Sequence, residues 1–269
     1  MSFVKALVRR REDGMSDDQP GGDTEFPRFA QWRPPVRRSS FIGRFWRSIQ
    51  WRNWPVSILP FVCIGVFISQ VLIPLPIERW GLSAAALRQG HYETLLTNIV
   101  MHGGAMHLLS NMIAYLAVAT LVCARFGRGI AGRISFHAFF LLCGLAGDLL
   151  FVALHRSGEV PVVGASGAIY GLFAAAVRLD SKSDHLRAHL SKRVLSGWRW
   201  MVISNVIVVL MFGAPQVLLQ ILQGNSIALA VPIAWEAHVG GFLAGIFLMD
   251  VMANKGWPDD WRGGFVDPE

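Results

Sequence analysis

Charge is what this chain has least of. Only 16% of its 269 residues are Asp, Glu, Lys or Arg, while 53% are hydrophobic and the mean hydropathy is +0.41. A soluble domain carries about 25% charged residues, so a water-solvated globule is excluded and a membrane protein is indicated. Cysteine is nearly absent too. Cys63, Cys123 and Cys143 are odd in number, lie within or at the end of apolar runs, and match no metal spacing. They read as small hydrophobes, which excludes a disulfide framework. No internal repeat is present, which counts against an inverted-repeat transporter. No apolar run bears the paired charges expected along an ion path, which counts against a channel. The start of the chain has too short an apolar stretch before Arg9-Arg10-Arg11 to read as a signal peptide.

What the chain does have is long uncharged runs. Residues 53–77, 94–124 and 200–235 contain no Asp, Glu, Lys or Arg. Residues 134–154, interrupted only by Asp148, residues 160–177 and residues 237–253, interrupted by Asp250, also reach spanning length. A membrane-crossing helix needs roughly 17–25 residues. The expectation is therefore an all-α membrane protein of six helices, at 55–75, 98–122, 134–154, 163–178, 200–222 and 236–253. With these spans, 22 of the 25 Lys and Arg fall on the side of the N-terminus. That asymmetry predicts both termini in the cytoplasm. The net charge of +7 then reports topology and affinity for the lipid bilayer, not nucleic acid. Residues 1–52 read as a cytoplasmic extension, largely disordered with an interfacial lead-in. Residues 53–253 read as the six-helix core, and 254–269 as a short cytoplasmic tail.

Against this apolar background a few polar residues stand out. His107 and Asn111 are four apart on one face of the second span, as are Ser166 and Tyr170 on the fourth. His238, Gly241 and Gly245 share a face of the sixth. All three spans run inward, so these residues fall at similar depth below the outer surface. Strongly polar groups at such depth are costly and tend to face a cavity and do chemistry. A hydroxyl, an imidazole and two further hydrogen-bonding side chains are the parts needed for acyl transfer. Gly167-x-x-x-Gly171 and Gly241-x-x-x-Gly245 would let the fourth and sixth helices approach closely, as a Ser166–His238 hydrogen bond requires.

At these positions the chain resembles the rhomboid family of intramembrane serine proteases. The resemblance covers residues from about 95 to 250. It rests on His102-x4-His107-x3-Asn111, on Gly164-Ala165-Ser166-Gly167-x2-Tyr170-Gly171, and on Ala237-His238-x2-Gly241-x3-Gly245. It implies Ser166 as nucleophile and His238 as general base, a dyad without a carboxylate. The side chains of His107 and Asn111, with the Ser166 N–H, would form the oxyanion hole. Tyr170 would pack on the His238 ring, and His102 would occupy the outer-loop entrance, supporting structure or hydration. The substrates implied are transmembrane segments of other proteins, with the fifth span and the 223–235 loop gating their access. No cofactor is implied. The chain departs from the family pattern at Glu93-Thr94, where Trp-Arg is frequent, and at Cys123, where a Glu is frequent.

The tetrapeptide around Ser166 is not the hydrolase nucleophile elbow, since Ala168 stands where that motif needs Gly. Asp250 lies about 18 Å along the helix from His238, too far to complete a triad. Glu236 points away from it. Asp148, in the outer half of the third span, reads first as a packing or water-bound carboxyl, with a third catalytic member as the alternative that spacing leaves open, and His137 as satisfying a backbone carbonyl or another polar side chain. His102 and His107 sit about 140° apart around a helix, and no His-Glu-x-x-His is present, so no metal site is expected. The alternative function is a non-catalytic binder of client transmembrane helices. Six spans without an extra leading helix or a transit-like start favour a bacterial inner membrane.

Overall fold

The computed structural model describes residues 54–73, 75–127, 129–180, 183–223 and 234–253, which belong to one unit, Arg37–Glu269. The extension 1–52, most of the 223–235 loop and the tail 254–269 lie outside the described residues. Nine helices are found among those described. They are α1 (Trp54–Leu72), α2 (Ile77–Trp80), α3 (Ala84–Arg88), α4 (Thr94–Val100), α5 (Ala105–Phe126), α6 (Ile130–Leu154), α7 (Ser166–Arg178), α8 (Lys192–Leu222) and α9 (Trp235–Met252). Uncharged apolar runs become helices because hydrocarbon offers the backbone no hydrogen-bond partner, and a helix satisfies its groups internally. The surface is correspondingly greasy. Phe61, Leu72, Leu210 and Val251 are among many large apolar side chains facing outward.

Helices stand at all six expected positions. Three of them, α5, α6 and α8, are long and apolar enough to cross a membrane by length and composition, and Val56–Leu72 within α1 is a shorter apolar helix. The fifth helix starts earlier than expected, at Lys192, and two further spans need correction. The second span is not one helix from residue 98. The short helix α4 ends at Val100, and α5 starts afresh at Ala105 after a break at 101–104. Gln70 of α1 holds that break open. Its Nε2 donates to the His102 carbonyl at 3.1 Å, and its Oε1 accepts from the His102 N–H at 3.2 Å.

The fourth span is the second correction. Helix α7 has only 13 residues, about 20 Å at 1.5 Å per residue, against a hydrocarbon core of about 30 Å. The chain reaches its start as an extended segment. Val162 exchanges backbone hydrogen bonds with Leu82 at 2.9 and 2.8 Å, and the Gly164 N–H donates to the Asn98 carbonyl at 2.8 Å. Residue 166 therefore opens a helix at the end of a pinned strand-like lead.

Helix α7 is the hub, packed against α5, α6, α8 and α9, while α9 packs most extensively on α7 and α6. Glycines make those contacts backbone-to-backbone. A Cβ on Gly241 would collide with the Gly167 carbonyl, one on Gly245 with the Gly171 carbonyl, and one on Gly147 with the Ala237 carbonyl. At one end of the bundle, buried Arg178 donates to the Ile246 carbonyl at 2.7 Å and pairs with Asp250 at 2.6 Å, and His189 reaches the same carboxylate at 2.8 Å. Arg125 is bonded to the Asp184 carbonyl nearby. These contacts tie the loop between α7 and α8 to three helix ends. On the other side of the bundle Arg79 pairs with Glu93 at 2.7 Å, holding that carboxyl below its ordinary range, and its guanidinium lies over Trp80.

The glycine seam yields a prediction. Gly241→Ala is expected to lower stability by about 1–3 kcal/mol through overpacking. Gly65→Ala on α1, where an added Cβ meets nothing within 4 Å, should be neutral or slightly stabilising. Thermal unfolding in one detergent checks both.

Candidate active site

Ser166 is the first residue of α7, so the N–H groups of that first turn have no acceptor within the helix. The residue before its N-cap, Gly164, has φ +126, a region that favours glycine, and a Cβ there would sit 2.8 Å from the His107 ring. Glycine at 164 thus serves two needs, an accessible backbone angle and room for an imidazole.

His238 lies in the first turn of α9 and is only 4% exposed. Its Nε2 is 2.8 Å from Ser166 Oγ. Its ring stacks on Tyr170 at 4.4 Å between centroids, with 24° between planes. The Tyr170 hydroxyl in turn is 2.7 Å from Ser204 Oγ on α8. The close approach of α7 and α9 through Gly167, Gly171, Gly241 and Gly245 is what allows these distances.

His107 and Asn111 line the same cavity as Ser166, Tyr170 and His238, a space of about 1290 Å³. Asn111 Nδ2 is buried there and has no hydrogen-bond partner among the described residues. A side-chain amide nitrogen can donate to any hydrogen-bond acceptor that enters the cavity. From Ser166 the cavity extends along Ala114, Ala117 and Val118 of α5 and along Trp200, Ser204 and Val208 of α8. Helix α8 packs on α7 and α9, and the cavity lies between it and α5.

His102 differs from expectation in its placement. Rather than standing at an entrance it is buried, because the break at 101–104 folds its ring in behind His107. The two rings meet edge to face at 5.2 Å. Their spacing along a continuous helix is therefore irrelevant. Asp148 accepts from Asn98 Nδ2 at 3.0 Å. The carbonyl of that same Asn98 holds Gly164, so Asp148 braces the lead into α7. Glu236 is buried and faces His155 at 3.6 Å. His137 Nδ1 is 2.8 Å from the Arg133 carbonyl, the backbone partner expected for it.

One member of the site was missed. Asn205 of α8 places Oδ1 2.5 Å from His238 Nδ1. The signal was present, since Ser204-Asn205 is a polar pair inside an apolar run. Its partner lies on another helix and is not readable from spacing.

With this geometry in hand, comparison with known proteins is decisive. The Rhomboid domain model matches residues 89–255. The chain belongs to the rhomboid family. It is 30% identical over 197 residues to RHOMBOID-like protein 5 of Arabidopsis thaliana, covering 73% of this chain and 54% of that one. It is 28% identical to RHOMBOID-like protein 4 of the same plant, covering 62% and 36%. It is 29% identical over 163 residues to Rhomboid protease GluP of Bacillus subtilis (strain 168), covering 60% and 26%. The chain thus spans about half, or less, of the length of these relatives. It is a rhomboid membrane protein whose α5, α7 and α9 bring His107, Asn111, Ser166 and His238 to one cavity.

Gly164→Ala tests how tightly this rhomboid site is built. An alanine at positive φ, pressed against the His107 ring, is expected to lower stability by about 1–3 kcal/mol. It should also slow labelling of Ser166 by a fluorophosphonate probe. Labelling at the native rate would contradict the crowding described above.

Proposed function

We propose that this rhomboid is an intramembrane serine endopeptidase, cutting transmembrane segments of other proteins with Ser166 as nucleophile and His238 as base. The observation that carries the proposal is the 2.8 Å contact between His238 Nε2 and Ser166 Oγ inside a cavity. That distance lies within the 2.6–3.2 Å a nucleophile–base pair needs. His238 takes the Ser166 proton as Oγ attacks a peptide carbonyl. The oxyanion receives hydrogen bonds from Asn111 Nδ2, His107 and the Ser166 N–H. The intermediate collapses as the imidazolium protonates the leaving amine. Water, activated by the same imidazole, then hydrolyses the acyl-enzyme.

Substrate class follows from where the cavity lies. Its lining is mostly apolar along α5 and α8, which suits a lipid-embedded segment. Its polar end, at Ser166 and Asn111, suits the one place where that segment unwinds and exposes a carbonyl. Access between α5 and α8 needs less disruption than access through the glycine seam of α6, α7 and α9.

The topology belongs to the same proposal: six membrane helices in residues 53–253, with both termini on the cytoplasmic side that carries most Lys and Arg. The segments 1–52 and 254–269 flank this core. The chemistry needs no cofactor. The plant relatives give no support to a bacterial inner membrane in particular, so the proposal is a membrane enzyme without that assignment.

Two outcomes are expected. In detergent or liposomes with model transmembrane substrates, Ser166→Ala and His238→Ala should abolish cleavage without loss of folding. Undiminished cleavage by Ser166→Ala would refute the assignment. Folded native protein that neither cleaves nor reacts with a fluorophosphonate would favour a non-catalytic binder of transmembrane helices. Asn111→Ala should lower kcat by about 10²–10³ with little change in KM, because the lost donor acts on the oxyanion rather than on the ground state.

A further inference from the structure

A neutral imidazole can serve as base toward Ser166 only if its proton sits on Nδ1 and its Nε2 lone pair faces the hydroxyl. Something must fix that tautomer, and the carboxylates of the bundle do not. Asp148 is engaged with Asn98, Glu236 faces His155, and Asp250 pairs with Arg178. The Tyr170 ring lies on the His238 face. A stacked ring fixes the plane of the imidazole but not its rotation within that plane, nor the position of its proton.

Asn205 supplies both. Its Nδ2 donates to the carbonyl of Met201 at 2.8 Å, one turn back on α8. A carbonyl oxygen only accepts, so the NH₂ end of the amide is fixed toward Met201. Oδ1 is then the atom that faces His238 Nδ1, at 2.5 Å. An amide oxygen cannot donate either, so the hydrogen between them belongs to Nδ1. That leaves the Nε2 lone pair aimed at Ser166 Oγ, 2.8 Å away.

We propose that Asn205 is the positioning residue of His238, holding the imidazole in its Nδ1–H tautomer and making that hold depend on the seating of helix α8. The proposal rests on the protease reading for its catalytic consequence. The dependence on α8 comes from adjacency. Ser204 bonds the Tyr170 hydroxyl and Asn205 bonds the ring that Tyr170 stacks on, so two consecutive residues of α8 secure the pair. Beyond them the large apolar side chains of α8, such as Val206, Ile207, Val209 and Leu210, face outward. Moving α8 away from α7 and α9 breaks both hydrogen bonds together. The helix that lines the substrate cavity therefore also controls whether the base is aligned.

The test compares native protein with Asn205→Leu and Asn205→Asp. Leucine keeps the volume and removes the acceptor. Aspartate keeps an acceptor for Nδ1–H but loses the donor to Met201. Asn205→Leu is expected to lower kcat by about 10²-fold with KM nearly unchanged, less than the ~10⁴ lost when a catalytic histidine's buried carboxylate partner is replaced by its amide. Asn205→Asp should recover most of the loss. If Asn205 only packed α8, aspartate would be as damaged as leucine, and kcat would track thermal stability. Histidine ¹⁵N shifts give a readout independent of activity, with His238 protonated at Nδ1 in the native protein and mixed in Asn205→Leu. Unchanged kcat in Asn205→Leu, or an Nε2–H tautomer in the native protein, overturns the proposal. If native protein cleaves nothing, the protease reading falls, while the ¹⁵N tautomer still decides the role of Asn205.

Discussion

The direct contact of two helix backbones is the constraint on which everything else in this bundle depends. Ser166 and His238 have short side chains, and their atoms meet at 2.8 Å only because α7 and α9 touch without side chains between them. Gly167 and Gly171 on one helix face Gly241 and Gly245 on the other, and Gly147 on α6 closes against Ala237. In hydrocarbon no hydrophobic effect drives helices together, since lipid tails are as apolar as leucine. Close van der Waals packing of small residues has to supply the association. The seam that stabilises the fold is therefore the same one that sets the Ser166–His238 distance.

Polar groups in this interior form a connected support rather than isolated contacts. Asp148 holds Asn98, and Asn98 holds the backbone of Gly164, which leads into Ser166. Gln70 holds His102, whose ring lies edge-on to His107. These links brace the cavity from α1, α4 and α6, although Ser166 and His238 lie on α7 and α9. A buried polar group without a partner is expensive in a low-dielectric interior. Such links therefore fix positions strongly. Asn111, whose Nδ2 has no partner among the described residues, lines the cavity.

Much of this was legible in the sequence, and the reasons for success and failure are physical. His107 and Asn111, or Ser166 and Tyr170, are neighbours at helical spacing, so a local rule places them on one face. The glycine pairs announce a close approach for the same reason. What spacing cannot reveal is where a helix begins when its start is set by distant partners. Helix α7 begins at Ser166 because Leu82 and Asn98 hold residues 162–164 extended, and those partners lie many residues away. His102 illustrates the same limit. Read as one helix, it turns away from His107, but the break held by Gln70 brings the rings together. Asn205 was visible as an anomaly in an apolar run, yet its meaning required knowing that α8 lies beside α9.

An amide in the third position also has a rationale that a carboxylate lacks. A carboxylate beside His238 would also accept from Nδ1–H, but as an ion in this interior it needs a fuller set of partners. It would then demand further donors from neighbouring helices. The asparagine amide makes no such demand. Its NH₂ is satisfied by its own helix through Met201, and its oxygen is committed to one acceptor role. The arrangement orients the imidazole without placing a second ion in the bundle. If His238 becomes an imidazolium, as the proposed mechanism requires, the amide dipole already points its negative end at Nδ1–H. No reorganisation is then needed at the moment charge develops, which is the condition under which fixed dipoles lower a barrier.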